Sequence, residues 1–351
     1  MRIFVIGASL EDTGNAYCLS KGKVPNQEFG KGLNEESDKE NPLQSFFPSY
    51  GRFTDKDNWI DVLSECLSYK LVNVFCELEN KGFIDLSRDN TIYNFAIGGA
   101  STLDIGFLMQ KSNVFNIASL NEQINENYGI LQQFKLLMDN YNPRCGDILI
   151  LNPLGNDLFS LAFFLLGALN GIRGGAKDGI VRNLVSERAL DIVKNKLGEL
   201  RMQVISMVKE ARNAGFHKII LFADSNYLNI KQHINKILPL SKIVPVLNDE
   251  RFLSLLNENL DFSLLDGVLN INTLHLLYDI IQSKMVGSIC DETIVEFLKR
   301  NYELSSPIDE YLAELNDNFC FYDLVHPSSK IHEEIAVNLC ALIKDISEGT
   351  C

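Results

Sequence analysis

The chain has 351 residues, 46% of them hydrophobic and 22% charged, which is enough to bury one large core or two modest ones. A formal net charge of -14 and an isoelectric point near 4.9 exclude a nucleic-acid backbone as the natural partner, because phosphate affinity comes from clustered Lys and Arg. The longest apolar run, 158–169, is shorter than the roughly 20 residues a membrane span requires, so it predicts a buried or interfacial helix.

In chain order, the first run (3–6, IFVI) is apolar and mostly β-branched, as a strand covered on both faces reads. It breaks into GASLEDTGN (7–15), where Gly7, Gly14 and Asn15 permit turns and Ser9, Asp12 and Thr13 offer side-chain oxygens near a helix start. Alone, this stretch reads as a strand and a helix cap more readily than as a nucleophile. Residues 21–42 carry no hydrophobic period and predict an exposed loop. Helical spacing follows over 59–69, 120–138, 186–214 and 252–260, alternating with strand-like runs at 92–97, 148–151, 218–223 and 267–272. A helical region at 291–315 precedes the strand-like NFCFYDL (318–324) and a last helix at 329–346. Strands alternating with helices predict a parallel sheet covered on both faces, with sites gathered at the carboxyl ends of the strands.

The eight cysteines (18, 66, 76, 145, 290, 320, 340, 351) are scattered, with no CxxC pair, and several sit in apolar contexts. They read as free thiols in a reducing compartment. No cationic stretch and apolar core precede the first strand, so the expected location is cytoplasmic, or outside by a route that needs no N-terminal signal.

Three further strand ends carry unusual residues. GGAST follows 92–97, so Gly98 and Gly99 can present backbone N–H groups without side-chain obstruction. NPLGNDLF follows 148–151 and places Asn156 and Asp157 at another strand end. Near the C-terminus, Asp323 stands three residues before His326, with Pro327 next. Of five histidines, only His326 has a local Asp partner backed by a proline. A hydroxyl nucleophile, an imidazole base, a carboxylate to orient it and donors for an oxyanion are the requirements of acyl transfer.

These blocks resemble the GDSL esterase/lipase family of the SGNH hydrolase superfamily. GASLEDTGN resembles its first block, usually GDSLSDTGN; NFAIGGAST resembles the second, LGNDLF the third and DLVHPSS the last. PSYGRFTDKDNWIDVL (48–63) is similar to a segment frequent in the lysophospholipase, thermolabile haemolysin and glycerophospholipid acyltransferase branch. The resemblance implies one SGNH hydrolase domain over 1–351, a flavodoxin-like α/β/α sandwich around a mostly parallel five-stranded sheet, with an exposed insertion near 21–47 and a helical lid near 158–185. It implies Ser9 as nucleophile, His326 as base and Asp323 as its orienter, with the Ser9 N–H, the Gly99 N–H and the Asn156 amide as oxyanion hole. No metal or organic cofactor is implied, and the partner is a small-molecule or lipid ester met at a membrane surface only transiently. Phe159, Phe163 and Phe164 are the expected acyl-chain wall, and the glycines of 171–179 would let that segment move.

Two positions depart from the pattern: Ala8 stands where the block has Asp, and Leu154 where a glycine is frequent. The rival reading is therefore a catalytically impaired module of the same fold that binds a lipid or protein. Other nucleotide and hydrolase signatures fail: GASLE has Glu11 where a GxSxG elbow needs glycine, and GxGxxG, a Walker loop and HExxH are missing.

Overall fold

In the computed structural model the described residues are 1–22, 24–25, 51–103, 127–175, 179–224, 226–263, 265–301, 312, 315 and 318–348, with backbone alone for 171–175, 179–185 and 235. Most of the expected insertion at 21–47 and the start of the helix expected at 120–138 lie outside them.

Six parallel strands form one sheet in the order β2-β3-β1-β4-β5-β6: β1 Arg2–Ile6, β2 Lys70–Asn73, β3 Thr91–Asn94, β4 Ile148–Leu151, β5 Lys218–Phe222 and β6 Val268–Ile271. Every residue of β1, β3 and β4 is buried, which is why those runs are apolar without alternation. The period-2 division appears in three dimensions instead. Phe4, Ile6, Tyr93, Leu149, Leu151 and Leu221 enter one core; Ile3, Val5, Ile92, Ile148, Ile150 and Ile220 enter the other. Each such side chain contributes about 1.5–3 kcal/mol by leaving water.

The first core is covered by α4 (Ile130–Asn140), α5 (Gly155–Gly175), α6 (Gly179–Ala214) and α7 (Glu250–Asn259), and the second by α2 (Trp59–Leu67), α8 (Thr273–Ser283) and α10 (Ser329–Glu348). Two short helices, α1 (Asn15–Leu19) and α3 (Val74–Lys81), flank the β1 exit, and α9 (Ile294–Asn301) precedes the His326 loop. Among the described residues no helix is long and apolar enough to cross a membrane. The apolar run at 158–169 lies within α5, where Leu161, Ala162, Phe163 and Leu165 are buried. That helix continues to Gly175, so 171–175 are helical, while 176–178 lie outside the described residues.

Three expectations are corrected. The sheet has a sixth strand, β2, at its edge. Only Val72 of its KLVN is buried, and it follows α2 after Ser68, in the left-handed region at φ 55°, and Tyr69, so no apolar run marks it. NFCFYDL is not a strand of the sheet: it makes only isolated bridges, Ile289 with Phe319 and Phe321 with Pro327. The cysteines are not free thiols. Cys18–Cys76, Cys66–Cys340 and Cys290–Cys320 are disulfides, spanning 58, 274 and 30 positions. The first two pairs become neighbours only when the crossovers bring α1 to α3 and α2 to α10, which spacing alone does not reveal.

Candidate active site

The chain leaves β1 toward β2 on one side of the sheet and leaves β4 toward β5 on the other, so a crevice forms where their carboxyl ends part. Ser9 lies at the β1 side of it and Asn152 to Asn156 at the β4 side. The turn carrying Ser9 is fixed from several directions. Gln133 of α4 accepts from the Gly7 N–H at 3.2 Å and donates to its carbonyl at 3.1 Å. Asp12 accepts backbone N–H groups from Gly14, Asn15, Ala16 and Gly98 at 2.7–3.1 Å, capping α1 and tying it to the loop after β3.

The last block builds its own local device. Asp323 Oδ1 accepts the N–H groups of Val325 and His326 at 2.8 and 2.7 Å, an Asx-type turn that folds the carboxylate back against the imidazole. His326 Nδ1 lies 2.9 Å from Asp323 Oδ2 and 3.0 Å from Oδ1, and His326 Nε2 lies 2.9 Å from Ser9 Oγ. With Nδ1–H directed at the carboxylate, Nε2 accepts the serine hydroxyl proton. Asp323 and His326 are buried, at 5% and 8% exposure, which shields the pair from competing water.

The expected oxyanion donors surround this line unequally. Asn156 faces the same cavity as Ser9, and its amide donates to the Ala100 carbonyl at 2.7 Å, a bond that uses one of its two hydrogens. The Ser9 and Gly99 N–H groups have no hydrogen-bond acceptor among the described residues, whereas the Gly98 N–H is taken by Asp12. Gly99 has φ 86°, a conformation that favours glycine. The segment between β3 and Gly99 runs beside β1, with the Ile97 N–H 3.4 Å from the Gly7 carbonyl, but Gly99 is not among the residues lining the cavity. Asp157 lies away from the reacting line: it accepts from the Thr102 and Leu103 N–H groups at 2.8 Å and binds the second block to the third. Burial pushes its carboxyl up to about 7.

The cavity beside Ser9 encloses about 130 Å³ and is walled chiefly by apolar side chains, among them Leu154, Phe159, Tyr227, Phe252, Leu256 and Leu277. Of the expected acyl wall only Phe159 is part of it. Phe163 is buried in the first core and Phe164 packs partly buried against it. Much of the remaining wall comes from residues between 222 and 277, whose hydrophobic spacing reads as ordinary core until the sheet places them beside Ser9, and Leu154, Leu158, Phe321 and Val325 add to it.

Several groups that hold the site have no individual role assigned by the sequence, although Phe53, Thr54 and Asp55 lie in the GRFTD stretch. Phe53 stacks at a tilt on His326, with ring centroids 5.5 Å apart. Asp55 accepts from the Ser329 N–H and hydroxyl at 2.7 and 2.8 Å, and Thr54 donates to the Pro327 carbonyl at 3.1 Å, so these two residues clamp the start of α10 directly behind the histidine. Glu11 is 1% exposed; burial pushes it up to about 7 against the pull of its hydrogen-bond donors. Among the described residues no cluster of His, Cys, Asp or Glu could hold a metal ion.

A doubly covered parallel sheet with a Ser–His–Asp line beside the carboxyl ends of its strands is the arrangement expected of an SGNH-type hydrolase. The profile of the GDSL-like lipase/acylhydrolase family matches residues 3–339, and the chain belongs to that family of serine ester hydrolases. No curated protein matches the chain.

Proposed function

We propose that the protein cleaves lipid acyl esters, as a lysophospholipase or phospholipase A or by passing the acyl group to another alcohol, through an acyl-enzyme on Ser9. The observation that carries this reading is the continuous hydrogen-bonded line from Asp323 through His326 to Ser9. Ser9 Oγ attacks the ester carbonyl as His326 Nε2 takes its proton. The tetrahedral oxyanion is held by the N–H groups of Ser9 and Gly99 and the free amide hydrogen of Asn156, each such donor being worth about 3 kcal/mol of barrier. The imidazolium, steadied by Asp323, then protonates the departing alkoxide. Water or an acceptor alcohol, deprotonated by His326, attacks the acyl-enzyme and returns Ser9 to its starting state. No step calls for a metal or an organic cofactor.

Support for a lipid substrate is the apolar cavity that begins at Ser9, suited to an acyl chain and poorly suited to a charged or sugar-like acyl group. The disulfides Cys18–Cys76, Cys66–Cys340 and Cys290–Cys320 support work in an oxidising compartment. Incubating whole lipid extracts with the wild type and with Ser9→Ala, followed by lipid mass spectrometry, tests the assignment. Free fatty acid or transferred acyl product should accumulate with the wild type alone. Equal turnover by Ser9→Ala would remove Ser9 from the reaction, and no turnover of any lipid by either protein would favour a binding module.

A further inference from the structure

Ser9 occupies the second position of a tight turn, 8–11, that is closed twice. The Glu11 N–H donates to the Ala8 carbonyl at 3.3 Å, and the Ala8 N–H donates to Glu11 Oε2 at 3.1 Å. The Glu11 side chain thus folds back over its own turn, into space left open by Gly7, where a Cβ would come within 2.5 Å of Oε2. Its other oxygen, Oε1, accepts from the Asn152 amide at 2.8 Å and from the Trp59 indole N–H at 3.3 Å. Asn152 follows β4 immediately and stands four residues before Asn156; Trp59 opens α2, whose inner face packs on α10 behind the histidine loop. One carboxylate therefore joins the three segments that carry the nucleophile, the side-chain oxyanion donor and the support of the base.

A turn of this kind needs no buried acid. Desolvating a carboxylate costs several kcal/mol unless its lone pairs are filled, and a backbone bond already closes the turn. The three donors that offset the cost come from three distant parts of the chain, and the Ala8 donor adjoins Ser9 itself. Position 8 contributes no polar side chain of its own. Among neighbouring ionisable groups, Asp12 is committed to the α1 cap and His326 to Asp323, so neither substitutes for Glu11.

We infer that Glu11 is a positioning residue for ester cleavage, its carboxylate holding the Ser9 turn against the Asn152–Asn156 segment so that nucleophile and oxyanion donor stay in register. This inference rests on Ser9 being the nucleophile. Displacing a reacting group by about 1 Å can cost 10²-fold in rate without changing how substrate is held, so the signature is a loss in kcat at constant KM.

The test uses Glu11→Gln and Asn152→Ala, assayed on a short-chain aryl ester and by the rate of fluorophosphonate labelling. Glu11→Gln keeps the side chain's shape but turns one acceptor into a donor. At least a tenfold fall in kcat and in labelling rate is expected, with KM within twofold of the wild type. Asn152→Ala should reproduce part of the loss, and the double variant should lose less than the product of the two single effects, because both break one link. Trp59→Phe, which removes only the indole donor, keeps the test open if Glu11→Gln does not fold. In that case a fall in its kcat at unchanged KM is still expected. Unchanged kcat in folded variants, or multiplicative effects in the double variant, would overturn the inference while leaving Ser9 in place. A Ser9→Ala protein that remains active would instead overturn the mechanism beneath it.

Discussion

At the scale of residues, the site is an economy of short-range and long-range contacts. Asp323 both closes the loop on which it sits and orients the imidazole three residues later, so the whole device fits within four positions. For that reason Asp323 and His326 were legible in the sequence: the chemistry and the spacing lie in one window. Ser9 was legible because polar residues interrupt an apolar strand where a parallel sheet puts its sites. Glu11 and Asp55 were not, since their partners Asn152 and Ser329 lie 141 and 274 positions away. Of the phenylalanines expected to wall an acyl chain, one reaches the cavity. Phe159 lines the cavity, whereas Phe163 follows the same apolar run onto the core side of α5. Phe159→Asp should accordingly lower kcat/KM at least tenfold more on a long-chain ester than on an acetyl ester, since each buried methylene contributes about 0.8 kcal/mol. Phe163→Asp should lower the melting temperature and both activities together. Parallel losses for Phe159→Asp on the two esters, measured side by side, would place the acyl chain elsewhere.

At the scale of elements, the strands buried on both faces announced themselves, and the edge strand β2 did not, because a strand with one buried residue looks like a helix tail. α2 packs against α10, which begins three residues after His326. His332 of α10 is buried, and its Nδ1 accepts the Trp59 N–H at 3.3 Å at the start of α2. Burial, with His326 nearby, pushes its pKa down to about 3. Between that value and the ordinary 6.5 the unfolded chain binds a proton that the folded one refuses, so this residue's contribution to stability is lost as pH falls through the window. From pH 7 to 4 the loss is of the order of 2–3 kcal/mol. Glu11 and Asp157, both raised by burial, act in the opposite sense, so the effect is read as a difference between two proteins. His332→Gln, which retains an acceptor for the Trp59 N–H, should close the gap to the wild type, or overtake it, as melting is followed from pH 7 to pH 4. A gap independent of pH would mean that His332 is protonated in the folded state.

At the scale of the whole molecule, the sheet presents the Ser9 turn and the Asn152–Asn156 segment at its carboxyl ends, the His326 loop meets them from outside the sheet, and two disulfides join helices around it. Cys66–Cys340 joins α2 to α10, and Cys18–Cys76 joins α1 to α3. Loops of such length lose much chain entropy on cross-linking, typically 2–4 kcal/mol of stability per bridge. Adding a strong reductant should therefore lower the melting temperature by several degrees, and alkylation of the unreduced, unfolded chain should leave Cys18, Cys66, Cys76, Cys290, Cys320 and Cys340 unmodified. Labelling of these thiols without reductant would show that the pairs do not form.

The proposed ester cleavage depends on Ser9 being activated by His326 through the 2.9 Å contact between them. Intact-mass and peptide mass spectrometry after brief exposure to a fluorophosphonate measures that activation directly. One adduct per chain, on Ser9, is expected in the wild type and none in His326→Ala, with both proteins folded. An adduct on another residue, or equal labelling of Ser9 when His326 is gone, would contradict activation of Ser9 by His326.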